Sequence, residues 1–228
     1  MELNTYSRDT TTLSGTRNQV LRNTYMLLGL SMLPTIAGAL LGVRIGFSFF
    51  AGSPMTSFLV FMGVAFAFFF GIERYKNSSI GVALLLAFTF FMGLMLSRIL
   101  QVVLGFSNGA NLIALAAGGT GVIFLAMASV ASVTKRDLSG LGKFLFVGMI
   151  VALVAMVANI FLQLPVFQLV IATACLGIFS AYILFDVNRV ITGGETNYIS
   201  ATLKIYLDIY NVFVSLLQIL SILGGRRN

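Results

Sequence analysis

Two acidic residues stand where a carboxylate is costly. Asp208 lies inside Leu203 to Leu223, a stretch otherwise apolar enough to cross a membrane, and Asp186 closes the apolar stretch just before it. An ionised side chain within hydrocarbon is expensive, so such a residue normally faces a bundle interior or a water cavity and marks an ion or proton path. Two carboxylates sharing a low-dielectric site do not both ionise easily, and they titrate as a pair. With one proton between them they form a short hydrogen bond that clamps their two segments together. Raising the pH removes that proton, the charges repel, and the segments part enough to hydrate a path and admit a hard cation to oxygen ligands. Asp186 and Asp208 are therefore read as candidates for an ion or proton path, which such titration would close at low pH and open at high pH. No firm metal site is expected beyond transient calcium contacts at these two residues.

The elements that must position this pair follow from composition. Hydrophobic residues make up 58% of the 228 and charged residues 9%, against roughly 25% charged in an ordinary soluble domain. A helix needs about 20 mainly apolar residues to cross the hydrocarbon layer. Seven charge-free windows meet that length, at about 24–43, 55–72, 79–97, 111–133, 144–164, 166–185 and 203–223. A β-barrel requires alternation of apolar and polar residues, and Phe66-Ala-Phe-Phe-Phe70 does not alternate. The expectation is an all-α membrane protein, a seven-transmembrane-helix bundle. Its organisation is a polar cytoplasmic tail over 1–22, one transmembrane domain over 23–225 and a short basic tail over 226–228.

The first 22 residues carry five Thr and no apolar run, which excludes a cleavable secretory signal and leaves the first helix as a retained anchor. Neither terminus carries a lipid-attachment signature. The single Cys175 forms no disulfide within the chain and is read as a small packed residue. Ten cations fall on the side of the amino terminus: Arg8, Arg17, Arg22, Arg74, Lys76, Lys135, Arg136, Lys143, Arg189 and Lys204. Four, Arg44, Arg98, Arg226 and Arg227, fall on the other. This bias places the amino terminus in the cytoplasm and, with seven spans, the carboxyl terminus outside. A re-entrant last segment, for which Arg226-Arg227 argue, places both ends in the cytoplasm instead. The net charge of +7 suits a cytoplasmic face against anionic headgroups and requires no nucleic acid.

On the seventh helix, Lys204, Asp208, Asn211, Ser215 and Gln218 recur at steps of four and three. At 100° per residue they occupy an arc of about 80°. A polar stripe this long does not point at lipid, so the seventh helix is expected to be central, its stripe lining a hydrated path or a hydrogen-bonded interface. Two plainer readings stand beside this one. Lys204 is four residues before Asp208 and Arg189 three after Asp186, so each carboxylate has a cation on its own helical face. Asn211, Ser215 and Gln218 are suited to act as glue between helices. Gly38 with Gly42, and Ala117 with Gly121, are small-xxx-small pairs read as packing surfaces. Pro34, inside the first span, frees a backbone carbonyl.

Catalysis has little to work with. The chain has no His, which removes a His base, a His metal site and the HExxH arrangement, and one Cys excludes thiolate clusters. An intramembrane aspartyl protease needs two facing carboxylates, but Asp186-Val-Asn and Leu-Asp208-Ile lack the small residues that let a substrate backbone approach. No enzymatic activity and no cofactor are expected.

The stretch Ile183-Leu-Phe-Asp186-Val-Asn-Arg-Val-Ile191 resembles the sixth-helix signature of the Bax inhibitor-1, or transmembrane Bax inhibitor motif, family. Ile205-Tyr-Leu-Asp208-Ile-Tyr-Asn-Val-Phe-Val-Ser-Leu-Leu-Gln-Ile-Leu220 resembles its last helix. Val20-Leu-Arg-Asn-Thr-Tyr25, Val157-Ala-Asn-Ile-Phe-Leu-Gln-Leu-Pro165 and Gly193-Gly-Glu-Thr-Asn-Tyr-Ile199 resemble its bacterial YccA branch. The resemblance implies a seven-helix bundle around the last helix. For the wider family it implies a pH-sensitive calcium leak sensed by an aspartate pair, to which Asp186 and Asp208 correspond, with an arginine near the end of the second helix linked to the pair. Arg74 matches that arginine by location. For the YccA branch it implies a multi-pass protein of the bacterial inner membrane that associates with the membrane AAA protease FtsH and modulates it. The polar amino-terminal tail suits engagement by such a protease.

Overall fold

The computed structural model describes residues 3–47, 54–134 and 138–225. Among them are seven helices and no strand: α1 (Leu3–Arg44), α2 (Pro54–Arg74), α3 (Ser79–Leu104), α4 (Gly109–Val133), α5 (Ser139–Leu162), α6 (Pro165–Thr192) and α7 (Tyr198–Gly224). Each is long and apolar enough to cross a membrane, α1 over Arg17–Arg44. The chain is thus an all-α, multi-pass membrane protein, and its immediate surroundings are lipid.

Every apolar window corresponds to a helix, yet five helices outrun their windows by five residues or more, α3 running on to Leu104 and α5 starting at Ser139. α1 continues back through the polar residues to Leu3. α6 continues past Asp186 to Thr192, and α7 begins at Tyr198 rather than near Leu203. Asp186 is therefore inside its helix, and Asp208 lies ten residues into α7 rather than about one and a half turns. Polar residues extend a helix readily once its apolar part is docked, so hydropathy marks the span and not the helix end.

The helices alternate in direction. Asn197, before α7, donates from Nδ2 to Lys76 O (3.0 Å) and Asn77 Oδ1 (2.8 Å) in the α2–α3 turn. At the opposite end, Asn108 in the α3–α4 turn donates to Gly224 O (2.7 Å) at the end of α7. Among the described residues the last helix is continuous from Tyr198 to Gly224 and reaches from one end of the bundle to the other. Lys135, Arg136, Arg226 and Arg227, and with them the basic tail over 226–228, lie outside the described residues.

Close approach of α1 and α3 depends on missing side chains. A Cβ on Gly38 would collide with the Phe90 carbonyl, one on Gly93 with the Thr35 carbonyl, and one on Gly42 with Ser97. The Gly38/Gly42 pair is thus a packing surface. The second pair is not one within the chain: a Cβ on Gly121 meets nothing within 4 Å and Ala117 is exposed. That correction has a simple cause, because small residues permit close approach but do not supply the partner helix. The main core gathers Ile72, Leu85, Phe88, Ile183, Ile205 and Tyr206 from α2, α3, α6 and α7. Cys175 is buried and free, packed near Ala152 and Ile171 between α5 and α6.

Candidate functional site

Two short devices hold α6 and α7 side by side. α6 ends at Gly193, whose φ of 84° is the left-handed conformation that closes a helix at low cost with glycine. Four residues later Asn197 caps α7, its Oδ1 accepting from the backbone N–H of Ile199 and Ser200 at 3.0 Å each. A connection this short forces the helices to run antiparallel and adjacent.

That geometry brings Asp186 and Asp208 together. Both are buried, at 8% and 5% exposure, and their carboxyl groups face each other within side-chain hydrogen-bonding reach. Carboxylates are acceptors only, so the contact is bonding when one of the two carries a proton and repulsive when neither does. Asp208 Oδ2 is buried with no hydrogen-bond partner among the described residues. An unsatisfied acceptor at this depth is costly.

The cations stand apart from the pair. Lys204 Nζ bonds Glu195 Oε2 at 2.5 Å rather than Asp208. Arg189 donates from Nη2 to Gly194 O at 3.1 Å and lies over the Phe185 ring, 5.6 Å from its centroid. Both still act on Asp186 through space, but neither bonds a carboxylate of the pair. Arg74 is exposed at the end of α2 and makes no ion pair among the described residues; its neighbour Glu73 engages Lys76 at 2.9 Å. No ion pair joins Arg74 to either aspartate among the described residues.

The remaining stripe residues are divided. Asn211 donates to its own helix at Leu207 O (2.8 Å), and Ser215 is buried. Gln218 accepts from Gln168 Nε2 (2.7 Å), and Gln168 Oε1 accepts from Asn159 Nδ2 (2.9 Å), an amide chain through α7, α6 and α5. Asn159 Oδ1 also accepts from Leu164 N (3.1 Å), bracing the turn where Gln163 takes a positive φ of 52°. Sequence reasoning assigned no role to Asn159, Gln168, Glu195 or Asn197. The first two were legible as the polar residues flanking the Leu-Gln-Leu-Pro turn. Glu195 was overlooked because it lies outside the apolar windows.

Glu195 is largely covered, its side chain 16% exposed, and its titration reflects competing influences. Burial favours its neutral form, but the hydrogen bonds from Lys204 and the Asn197 backbone, with the charges of Lys204 and Arg189, prevail and hold its carboxyl below the usual glutamate range. No group of three or more His, Cys, Asp or Glu side chains suited to a metal occurs among the described residues. A calcium ion at the pair would take most of its six to eight oxygens from water or backbone.

Comparison with known proteins places this geometry in a family. The family model described as "Inhibitor of apoptosis-promoting Bax1" matches residues 17–226. The chain belongs to the Bax inhibitor-1 family. A Neisseria meningitidis family relative, named as an uncharacterized protein, is 41% identical over 223 residues, 95% of this chain and 96% of its own. The Escherichia coli K12 protein named "Modulator of FtsH protease YccA" is 39% identical over 214 residues, 94% of each chain. A Vibrio cholerae protein named as an uncharacterized membrane protein is 38% identical over 208 residues, 91% of each. The Bax inhibitor-1 match covers the membrane-crossing part of all seven helices, and with them both aspartates.

Proposed function

We propose that this Bax inhibitor-1 family protein resides in the bacterial inner membrane, with its amino terminus in the cytoplasm, and modulates a membrane AAA protease of the FtsH type. The observation that carries this reading is the 39% identity, over 94% of both chains, to the protein named as a modulator of FtsH protease. The bundle would engage the protease through its membrane-embedded surface, and α1, helical back to Leu3, would present its polar end to the protease. Affinity purification from membranes is expected to recover the protease, and deleting the chain is expected to change the degradation rate of a membrane substrate. Recovery of no protease together with an unchanged rate would overturn the proposal.

A second reading is favoured by one feature, the buried Asp186–Asp208 contact with its unpartnered oxygen. In this reading the pair is the proton sensor of a cation leak and α7 is the central helix, supported by its packing against α1, α2, α3, α4 and α6. Loss of the shared proton puts two like charges in contact, drives α6 from α7 and hydrates the seam. The test is calcium flux into liposomes holding the purified protein, scanned from about pH 5 to 8. Flux that rises with pH supports the leak; absence of flux at every pH overturns it. One protein can serve both roles.

A further inference from the structure

A crevice between α1 and α4 is used by neither reading. Both helices pack on α7, and between them a slot remains with α7 as its floor. Toward the amino-terminal side it holds about 520 Å³ beside Tyr25, Gly29 and Ser132. Toward the other side it holds about 450 Å³ beside Leu40, Ala117 and Gly121. Met32, Phe124 and Ile209 line both compartments, which therefore adjoin. The Tyr25 and Phe124 rings meet edge to face across the slot, their centroids 6.2 Å apart.

The lining selects an apolar occupant. Most of its hydroxyls are already bonded, the Tyr25 hydroxyl excepted: Thr35 Oγ1 to Ser31 O and Tyr206 Oη, Thr120 Oγ1 to Ala116 O, Tyr210 Oη to Met92 O. A crevice open sideways at hydrocarbon depth is filled by what surrounds it. A helix about 10 Å wide and 20 Å long displaces roughly 1,600 Å³, more than both compartments together, whereas a single hydrocarbon chain is narrow enough to reach α7.

A charge marks the entrance. Arg22 is seven residues before Gly29, on the same face of α1 and about 10 Å closer to the amino-terminal end. It is exposed and makes no ion pair among the described residues. We propose that the α1–α4 crevice seats one acyl chain of an anionic phospholipid whose phosphate is held by Arg22. The open face at Ala117 and Gly121, which packs on no other helix of the chain, is then the wall of a lipid site.

Native mass spectrometry of the full chain, released from nanodiscs of equal phosphatidylglycerol and phosphatidylcholine, tests this directly. The wild type is expected to retain one phosphatidylglycerol. Arg22→Gln is expected to lower the preference for phosphatidylglycerol about fivefold, the attraction of one cation to an anionic lipid surface. Gly121→Phe and Gly29→Phe each fill a compartment and are expected to lose the retained lipid. Gly63→Phe, on α2 where an added Cβ also meets nothing within 4 Å, is expected to retain it. Equal retention of the two lipids by the wild type, retention unchanged in both crevice variants, or loss in the Gly63 variant as well would overturn the proposal. So would a photocrosslinker at Gly121 that captures a protein helix, from a second copy or another chain, in place of lipid.

Discussion

The seam between α6 and α7 is polar at both ends, and its two ends are finished differently. Far from the amino-terminal side, Asn159, Gln168 and Gln218 form a chain in which each contact joins an amide N–H to an amide oxygen. Near the amino-terminal side, Asp186 and Asp208 present acceptors to each other, and Asp208 Oδ2 has no hydrogen-bond partner among the described residues. The amide chain holds at any ordinary pH because its donors do not titrate. The carboxyl pair holds only through a proton. The amides are partly buried and the carboxyls buried, and donor supply separates the two ends.

The comparison breaks most sharply at the pair. Asp208→Asn supplies a permanent N–H donor, so the contact no longer needs a proton. A calcium leak measured in liposomes is expected to lose its pH dependence entirely, and Asp186→Asn should behave alike. A mutant keeping the wild-type profile would remove the sensor role.

A smaller effect is expected at the cap that sets the pair's height. Asn197→Ala removes two bonds to the α7 amino terminus and two to the α2–α3 turn. Loss of a cap costs about 1–2 kcal/mol, to be read as a lowered Tm in detergent. The amide end should give less. Gln168→Leu deletes both links of its chain, at about 0.6 kcal/mol per interhelical hydrogen bond, so roughly 1 kcal/mol of stability should go with the pH profile of the leak unchanged. A shifted profile would mean the two ends of the seam are coupled.

The least effect belongs to the partly exposed pair Glu195–Lys204. Side-chain exposures of 16% and 38% hold Glu195→Gln below about 1 kcal/mol. Folding lowers the Glu195 titration range, so this contribution is full above the ordinary glutamate value of about 4.3 and disappears as acid protonates the folded carboxylate. The Tm gap between wild type and Glu195→Gln should therefore be present at neutral pH and close in acid.

Much of the fold was legible because hydrocarbon thickness imposes one length on every span. The seven windows corresponded to seven helices, and Gly38 and Gly42 did pack. Other features failed for a common reason. Lys204 was a plausible partner for Asp208 by spacing, yet it bonds Glu195, which the chain reversal at Gly193 returns to it. Arg74 had suitable depth, and it forms no ion pair among the described residues. Ala117 and Gly121 had the composition of an interface and no helix to meet.

The sequence by itself determined the class, the number of spans, the polar stripe on α7 and the two costly carboxylates, since each follows from the free energy of placing a group in hydrocarbon. Tertiary structure alone decided which polar groups meet. Hydrogen bonds act over about 3 Å, and a helix periodicity fixes a face without fixing what stands opposite. Only the packed bundle puts Asp186 against Asp208, draws Lys204 to Glu195, threads Gln168 between Asn159 and Gln218, and leaves a slot between α1 and α4.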